Sequence, residues 1–124
     1  MSGVGAWIRY GGPISPEQLD FAAQHYRAAI LQPWETAAAA DLKRRRPDMT
    51  VLCYKCLSST RSYEPGPIHS SGVSYAEAPD RWFARRLDGE RIEWARYGGH
   101  WQMTVWSPEY RERWVRNVVA ELRD

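Results

Sequence analysis

The sequence predicts an α/β fold in which short strands alternate with helices. Three apolar segments begin near residues 6, 28 and 50, and helical patterns of apolar and small residues fall between them. This spacing leaves room for one strand, one helix and two tight loops, which is the repeating unit of α/β folds. A chain of 124 residues is long enough for one modest domain, so we expect a single domain over residues 1–124.

The first two strand–helix units are marked by residues that start and stop helices. Residues 6–10 form the first predicted strand, and Ser15-Pro16-Glu17-Gln18 starts a helix with an N-cap serine, an early proline and a glutamine that can complete a capping box. Residues 28–32 form the second strand, and an alanine-rich helix then runs to Arg46. The basic run that ends this helix, residues 43–46, is favoured by the helix dipole.

The longest apolar run lies in the middle of the chain, from Thr50 to Arg61. It shows little polar alternation before Lys55, so we expect a buried strand that is covered on both faces, as in parallel sheets. Cys53 and Cys56 fall within it, three residues apart, and would therefore point to opposite faces. We expect two buried thiols there and neither a metal site nor a cofactor, while a redox CxxC pair is a weaker alternative.

The last part of the chain is predicted to be an aromatic-rich excursion followed by a closing helix. Residues 62–74 form a long loop of the kind that often carries function, and residues 75–86 are predicted to be helical. Residues 87–94 are expected to form a turn and the return strand of a small hairpin. Residues 102–106 should be extended, and Ser107-Pro108-Glu109 starts the final helix.

Polar and aromatic side chains follow each predicted strand, and in α/β folds such strand ends carry the functional site. Glu35, beside Trp34, is the candidate catalytic carboxylate, although an acid in a first helical turn is also favoured by the dipole. Lys55 ends an apolar strand and requires a partner, which could be a carboxylate of the site or a structural ion pair. The candidate ligand-binding residues are Tyr10, Gln32, Trp34, Tyr54, Lys55, Ser59, Arg61, His100 and Trp101.

The composition narrows the classes of ligand. Seven tryptophans and seven tyrosines exceed what a core of this size needs, and they favour stacking on sugars or bases, or a protein interface. A net charge of +2 is too small to indicate nucleic acid. The sequence has no apolar stretch that could span a membrane and no signal-peptide pattern at its start, so we expect a cytoplasmic protein, or an extracellular one if the chain is a fragment.

The order of these features resembles the N-terminal half of TIM-barrel glycoside hydrolases, the hypothetical glycosyl hydrolase group related to endo-α-polygalactosaminidases. The strings that carry the resemblance are W-E at 34–35, L-K-R-R-R-P-D leading into V-L-C-Y, S-S-T at 58–60, P-D-R-W-F-A-R followed by D-G, and M-T-V-W-S-P-E-Y-R-E-R-W-V-R-N-V-V-A-E-L. The resemblance implies a partial (β/α) barrel: three parallel strands with covering helices, an extra small hairpin and a C-terminal helix.

The resemblance also implies a carbohydrate ligand and an incomplete site. In that group the closing helix leads into a fourth strand that ends in an acidic residue, whereas this sequence stops at Asp124. Three strands cannot close a barrel of eight, so a second copy or a companion chain is expected to complete it. Hydrolysis usually requires two carboxyl groups and only Glu35 is well placed, which leaves catalysis open. The alternative is a non-catalytic assembly or carbohydrate-binding module with an aromatic-rich interface.

Overall fold

The computed structural model describes residues 5–123, in two compact units that divide between Tyr54 and Lys55. The first unit contains β1 (Ala6–Ile8), α1 (Pro16–His25), β2 (Ala28–Leu31), α2 (Thr36–Arg45) and β3 (Thr50–Cys53). The second contains β4 (Ser59–Arg61), a 3₁₀ turn (Asp80–Trp82), β5 (His100–Gln102) and α3 (Pro108–Arg123). Residues 1–4, which belong to the signal-peptide prediction, and Asp124 lie outside the described residues. The single domain over residues 1–124 stays a prediction.

The predicted α/β fold is confirmed by the parallel sheet of the first unit. Its three strands lie in the order β1-β2-β3, and the register pairs Ala6 with Ala28 and Ala28 with Thr50. Equivalent positions of the sequence repeat therefore lie side by side. On one face of the sheet, Ala29 and Leu31 form a core with buried residues of α1 and α2, among them Ala22 and Leu42.

The ends of both helices in the first unit use the residues that the sequence singled out. Ser15 Oγ accepts a hydrogen bond from the Gln18 amide at 3.2 Å, and Gln18 Oε1 accepts one from the Ser15 amide at 2.9 Å, which completes the capping box. At the end of α2, Lys43 Nζ donates to the carbonyls of Pro47 and Met49 at 2.7 and 2.8 Å. Arg46 donates to the carbonyls of Ala23, in the last turn of α1, and of Tyr26, which follows the helix. Lys43 and Arg46 thus connect the end of α2 to the turn before β3 and to the end of α1.

The prediction of a buried strand from Thr50 to Arg61 is wrong in two respects. Strand β3 ends at Cys53, and Ser59–Arg61 forms β4, which pairs with β5 in a separate antiparallel sheet of the second unit. Leu52 is 50% exposed, because it lies in one cross-strand row with Ile8 and Ile30 on the face opposite the helices. Both cysteines are thiols, but the expected burial fails, since Cys53 is exposed and Cys56 is half-buried.

The helix predicted over residues 75–86 is also wrong, because only Asp80–Trp82 forms a 3₁₀ turn there. Proline at position 79 disfavours a helical conformation for the residue before it. Beyond this turn the backbone pairs as extended chain: the Ala84 amide donates to Gln102 O at 2.9 Å, and the Ile92 amide donates to Ala84 O at 3.0 Å. Cross-strand partners thus replace the hydrogen bonds of a helix.

The predicted turn and closing helix are confirmed. The Arg86 amide donates to Glu90 O at 2.8 Å, and an isolated bridge joins Arg85 to Arg91, as expected for a small hairpin. Helix α3 begins after Ser107. The core of the second unit consists of buried residues from the excursion, from the position directly after β5 and from this helix: Val73, Trp82, Phe83, Met103 and Tyr110. Among residues 5–123, no helix has the length and apolar character to cross a membrane.

Candidate functional site

In the first unit, Gln32 ties together the carboxyl ends of β1 and β2. Its side-chain Nε2 donates to the Arg9 carbonyl at 3.0 Å, and the Arg9 amide donates to Ile30 O at 2.9 Å. Just beyond β3, the Tyr54 amide donates to Leu31 O at 2.8 Å. Gln32 is buried, so its amide group serves the scaffold that brings the strand ends to one edge of the sheet. A ligand-binding role for Gln32 and Tyr54 stays a prediction.

Glu35 closes a tight turn at this edge. Its Oε1 accepts a hydrogen bond from the Gln32 amide at 2.8 Å, and its own amide donates to Gln32 O at 3.0 Å. Glu35 is the N-cap residue of α2, yet its side chain makes no capping bond to that helix. The half-buried carboxylate is therefore held in a fixed position. This geometry accommodates both of the roles that the sequence leaves open, an acid favoured by the dipole at the start of a helix and a catalytic carboxylate.

Within residues 5–54, Glu35 is the one acid at the strand ends. The other acids of this segment lie on the helices or in the turn before β3: Glu17, Asp20, Asp41 and Asp48. Asp41 and Asp20 are paired with Arg45. The strand ends of this unit thus supply one of the two carboxyl groups that glycoside hydrolysis usually requires.

Two aromatic residues accompany Glu35 at the strand ends. Tyr10 is strongly exposed, and Trp34 is also exposed. The neighbouring Arg9 side chain turns back on its own loop, where it donates to the carbonyl of Gly11 at 2.8 Å. The two exposed rings leave apolar surface open to a ligand on this edge.

In the second unit, the carboxylate partner of Lys55 is Glu121 of α3 rather than Glu35. Lys55 Nζ lies 2.5 Å from Glu121 Oε2 and donates to the His69 carbonyl at 2.6 Å. The lysine side chain is only 5% exposed. These two groups are the partners that a buried ammonium group requires, as expected for a structural ion pair. A ligand-binding role for Lys55 stays a prediction.

Ser59 and Trp101 are used by the interior of the second unit. Ser59 is buried, and its hydroxyl lies 3.2 Å from Cys56 Sγ. Trp101 packs against the core and donates from Nε1 to Ser62 Oγ at 3.3 Å. Their role as ligand-binding residues stays a prediction, but their contacts within the unit account for their presence.

Arg61 and His100 are cross-strand partners on β4 and β5. Arg61 donates to Ser70 Oγ, and the Ser70 amide and hydroxyl donate to the Glu64 carboxylate at 3.0 and 2.7 Å. Burial of the His100 ring, and secondly the positive charge of Arg61, lower its pKa below the ordinary value, while Glu64 acts in the opposite sense. His100 Nε2 is hydrogen-bonded to the Tyr63 hydroxyl at 2.8 Å. These two predicted residues therefore belong to one polar cluster.

The members of this cluster that the sequence did not single out are Tyr63, Glu64 and Ser70. All three lie in the long loop of residues 62–74, which was expected to have a function. The length of this loop was therefore the sequence signal that could have pointed to these three residues. Its partners across the sheet could not be identified without the pairing of β4 with β5.

The family model for hypothetical glycosyl hydrolase family 15 matches residues 43–124, more than half of the chain. The match includes β3 and the described part of the second unit, whereas Trp34 and Glu35 lie before it. Comparison with curated proteins and with solved structures gives no match.

Proposed function

The chain belongs to hypothetical glycosyl hydrolase family 15, and on that premise we propose that it acts on or binds a carbohydrate. The family match is the observation that carries the proposal. It is supported by the exposed aromatic residues, because sugar sites pair apolar ring surfaces with a few fixed polar groups.

In this proposal Glu35 is the catalytic carboxylate contributed by the chain. Its position is set by the hydrogen bond from the Gln32 amide, so the carboxylate does not have to be ordered when substrate binds. It would act as the acid, or as the base or nucleophile, on one side of the glycosidic bond. Tyr10 and Trp34 would hold the sugar by stacking beside it.

The site would be completed by a second copy of the chain or by a companion chain. Two features of the first unit support this part of the proposal. Its strand ends carry one carboxylate where hydrolysis needs two. In addition, Ile8 and Leu52 are half exposed on the sheet face opposite the helices, although parallel sheets are normally covered on both faces.

The substitution Glu35→Gln tests the catalytic role. A glutamine side-chain oxygen can still accept the hydrogen bond from the Gln32 amide, so the turn should persist while the negative charge is lost. We expect release of reducing ends from a polysaccharide panel to fall by about 10²–10⁴-fold. Glu17→Gln, on the first turn of α1, is the matched control and should leave the rate unchanged.

A non-catalytic carbohydrate-binding or assembly module is the second candidate, favoured by the single carboxylate at the strand ends. Under that alternative the wild-type chain releases no sugar, and Glu35→Gln leaves its self-association intact. Light scattering at micromolar concentration tests the partner: a mass above that of one chain is expected, and a clean monomer that hydrolyses or binds sugar would contradict the need for a second chain.

A further inference from the structure

A row of four rings is formed by the start of β5, the turn before it and the loop after β4. Tyr63, His100, Tyr97 and Trp94 follow one another with centroid separations of 5.7, 5.4 and 5.9 Å. We call these four residues the aromatic row. Tyr63 and Tyr97 are 59% and 56% exposed, and Trp94 is exposed as well. Neighbouring ring planes are tilted by 38°, 34° and 60°, and the three exposed rings present apolar surface to solvent.

The backbone of the turn holds three of these rings in place. The Tyr97 amide donates to Trp94 O, and the His100 amide donates to Tyr97 O, each at 3.2 Å. The Trp94 amide donates to His100 O at 2.9 Å, which closes the turn. Glu93 accepts a hydrogen bond from the Gly99 amide at 2.6 Å. The spacing of the rings is therefore set before any ligand binds.

The fourth ring, Tyr63, is positioned by Gly99. A Cβ atom at position 99 would lie 2.8 Å from Tyr63 Cδ1, and Gly99 has φ of +81°, so glycine is required both for the close approach and for the backbone conformation. The Ser62 amide donates to Gly99 O at 2.9 Å and fixes the loop at this point. The hydrogen bond between Tyr63 and His100 then sets the tilt of the ring.

Groups of both charges adjoin one end of the row. Arg61 is the cross-strand partner of His100, and Glu64 follows Tyr63 directly. Ser70 links these two side chains, because it accepts from Arg61 and donates to Glu64. The cation and the anion compensate each other, so the end of the row offers both hydrogen-bond donors and acceptors with little net charge.

We propose that the aromatic row is a binding platform for a neutral oligosaccharide. Successive pyranose units would place their C–H faces on the rings, while Arg61 and Glu64 hydrogen-bond to hydroxyls at one end. Aromatic surface with a few convergent polar groups is the usual composition of small-molecule sites. A row of rings matches a chain of sugars rather than a single one, and the balanced charges favour an uncharged ligand. The inference rests on the proposed carbohydrate function and locates a subsite remote in sequence from Glu35.

Fluorescence titration with cello-, malto-, xylo- and chito-oligosaccharides tests this platform. We expect wild-type protein to bind at least one of them, and Tyr97→Ala and Tyr63→Ala to bind it roughly tenfold more weakly, as expected for the loss of one stacking contact. Trp106→Ala is the matched control, because Trp106 is 66% exposed in the same unit but outside the row, and it should bind like wild type. Unchanged circular dichroism would confirm that the variants are folded.

The outcomes separate the inference from the proposed function. If wild type binds a sugar and both tyrosine variants bind it equally well, the platform is overturned and the carbohydrate function stands. If the tyrosine variants alter the oligomeric state but not sugar affinity, the row is a protein contact and the platform is again overturned. If wild type binds none of the four sugar series, the carbohydrate function and the platform both fail.

Discussion

The substitution Gly72→Ala should strongly destabilise the second unit, because the Trp114 indole occupies the space that a Cβ atom would need. A Cβ at position 72 would lie 2.4 Å from both Cδ1 and Nε1 of that ring. The ring cannot move away freely, since Trp114 Nε1 donates to Cys56 O at 2.8 Å. The adjacent turn of α3 is tied to the same glycine, because Asn117 Nδ2 donates to Gly72 O at 2.9 Å.

The expected magnitude combines two effects. Forcing one extra carbon into a packed interior costs about 1–3 kcal/mol, and losing the indole hydrogen bond adds about 1 kcal/mol. We therefore expect Gly72→Ala to lower the free energy of unfolding by about 2–4 kcal/mol, measured by urea denaturation with tryptophan fluorescence. Trp114→Leu in the same chain should relieve the clash, so its effect and that of Gly72→Ala should not be additive.

Gly98→Ala is the matched control for this prediction. A Cβ at position 98 would have no atom within 4 Å, and the substitution should change stability by no more than about 0.5 kcal/mol. Unfolding of Gly72→Ala at the same urea concentration as Gly98→Ala would contradict this prediction. That result would mean that Trp114 does not pack on Gly72.

Two further predictions concern charge in the second unit. Glu121→Gln should lower the free energy of unfolding by about 1–3 kcal/mol, because it leaves the Lys55 ammonium group buried with the His69 carbonyl but without its carboxylate. Glu112 is an exposed acid on the same helix, and Glu112→Gln should have almost no effect in the same urea titration. Equal effects of the two substitutions would contradict the ion pair. Folding lowers the pKa of His100 from its ordinary 6.5, so the unfolded chain binds the proton at a higher pH than the folded chain does. The free energy of unfolding should therefore fall as the pH drops below about 6.5, and it should stop falling below the pKa of the folded state. His100→Gln should remove this part of the pH dependence, and an unchanged slope would rule the assignment out.

The first unit could be predicted well because its signals are local. The capping box at Ser15 and the repeated strand starts lie within short windows of sequence. The register that joins Ala6, Ala28 and Thr50 then follows from the repeat. Burial of β3 was not predictable in the same way, because it depends on what covers the sheet face that carries Leu52, and the alternation of residues does not specify that.

The second unit was harder to predict because its structure depends on long-range pairing. Residues 75–86 have apolar spacing that suits a helix, but their hydrogen-bond partners come from the segment around Gln102. The contacts of the candidate site residues are also long-range: Lys55 and Glu121 are 66 positions apart in the sequence, and Tyr63 and His100 are 37 positions apart. The sequence identifies Lys55 and His100 as candidate ligand-binding residues, but it does not specify their partners.

Calorimetric titration of the wild-type chain with the four oligosaccharide series measures directly whether this family member binds carbohydrate. We expect saturable binding of at least one series, and with it a thermal unfolding temperature that rises with sugar concentration. The absence of both heat and thermal shift for every series, with protein shown to be folded, would contradict it.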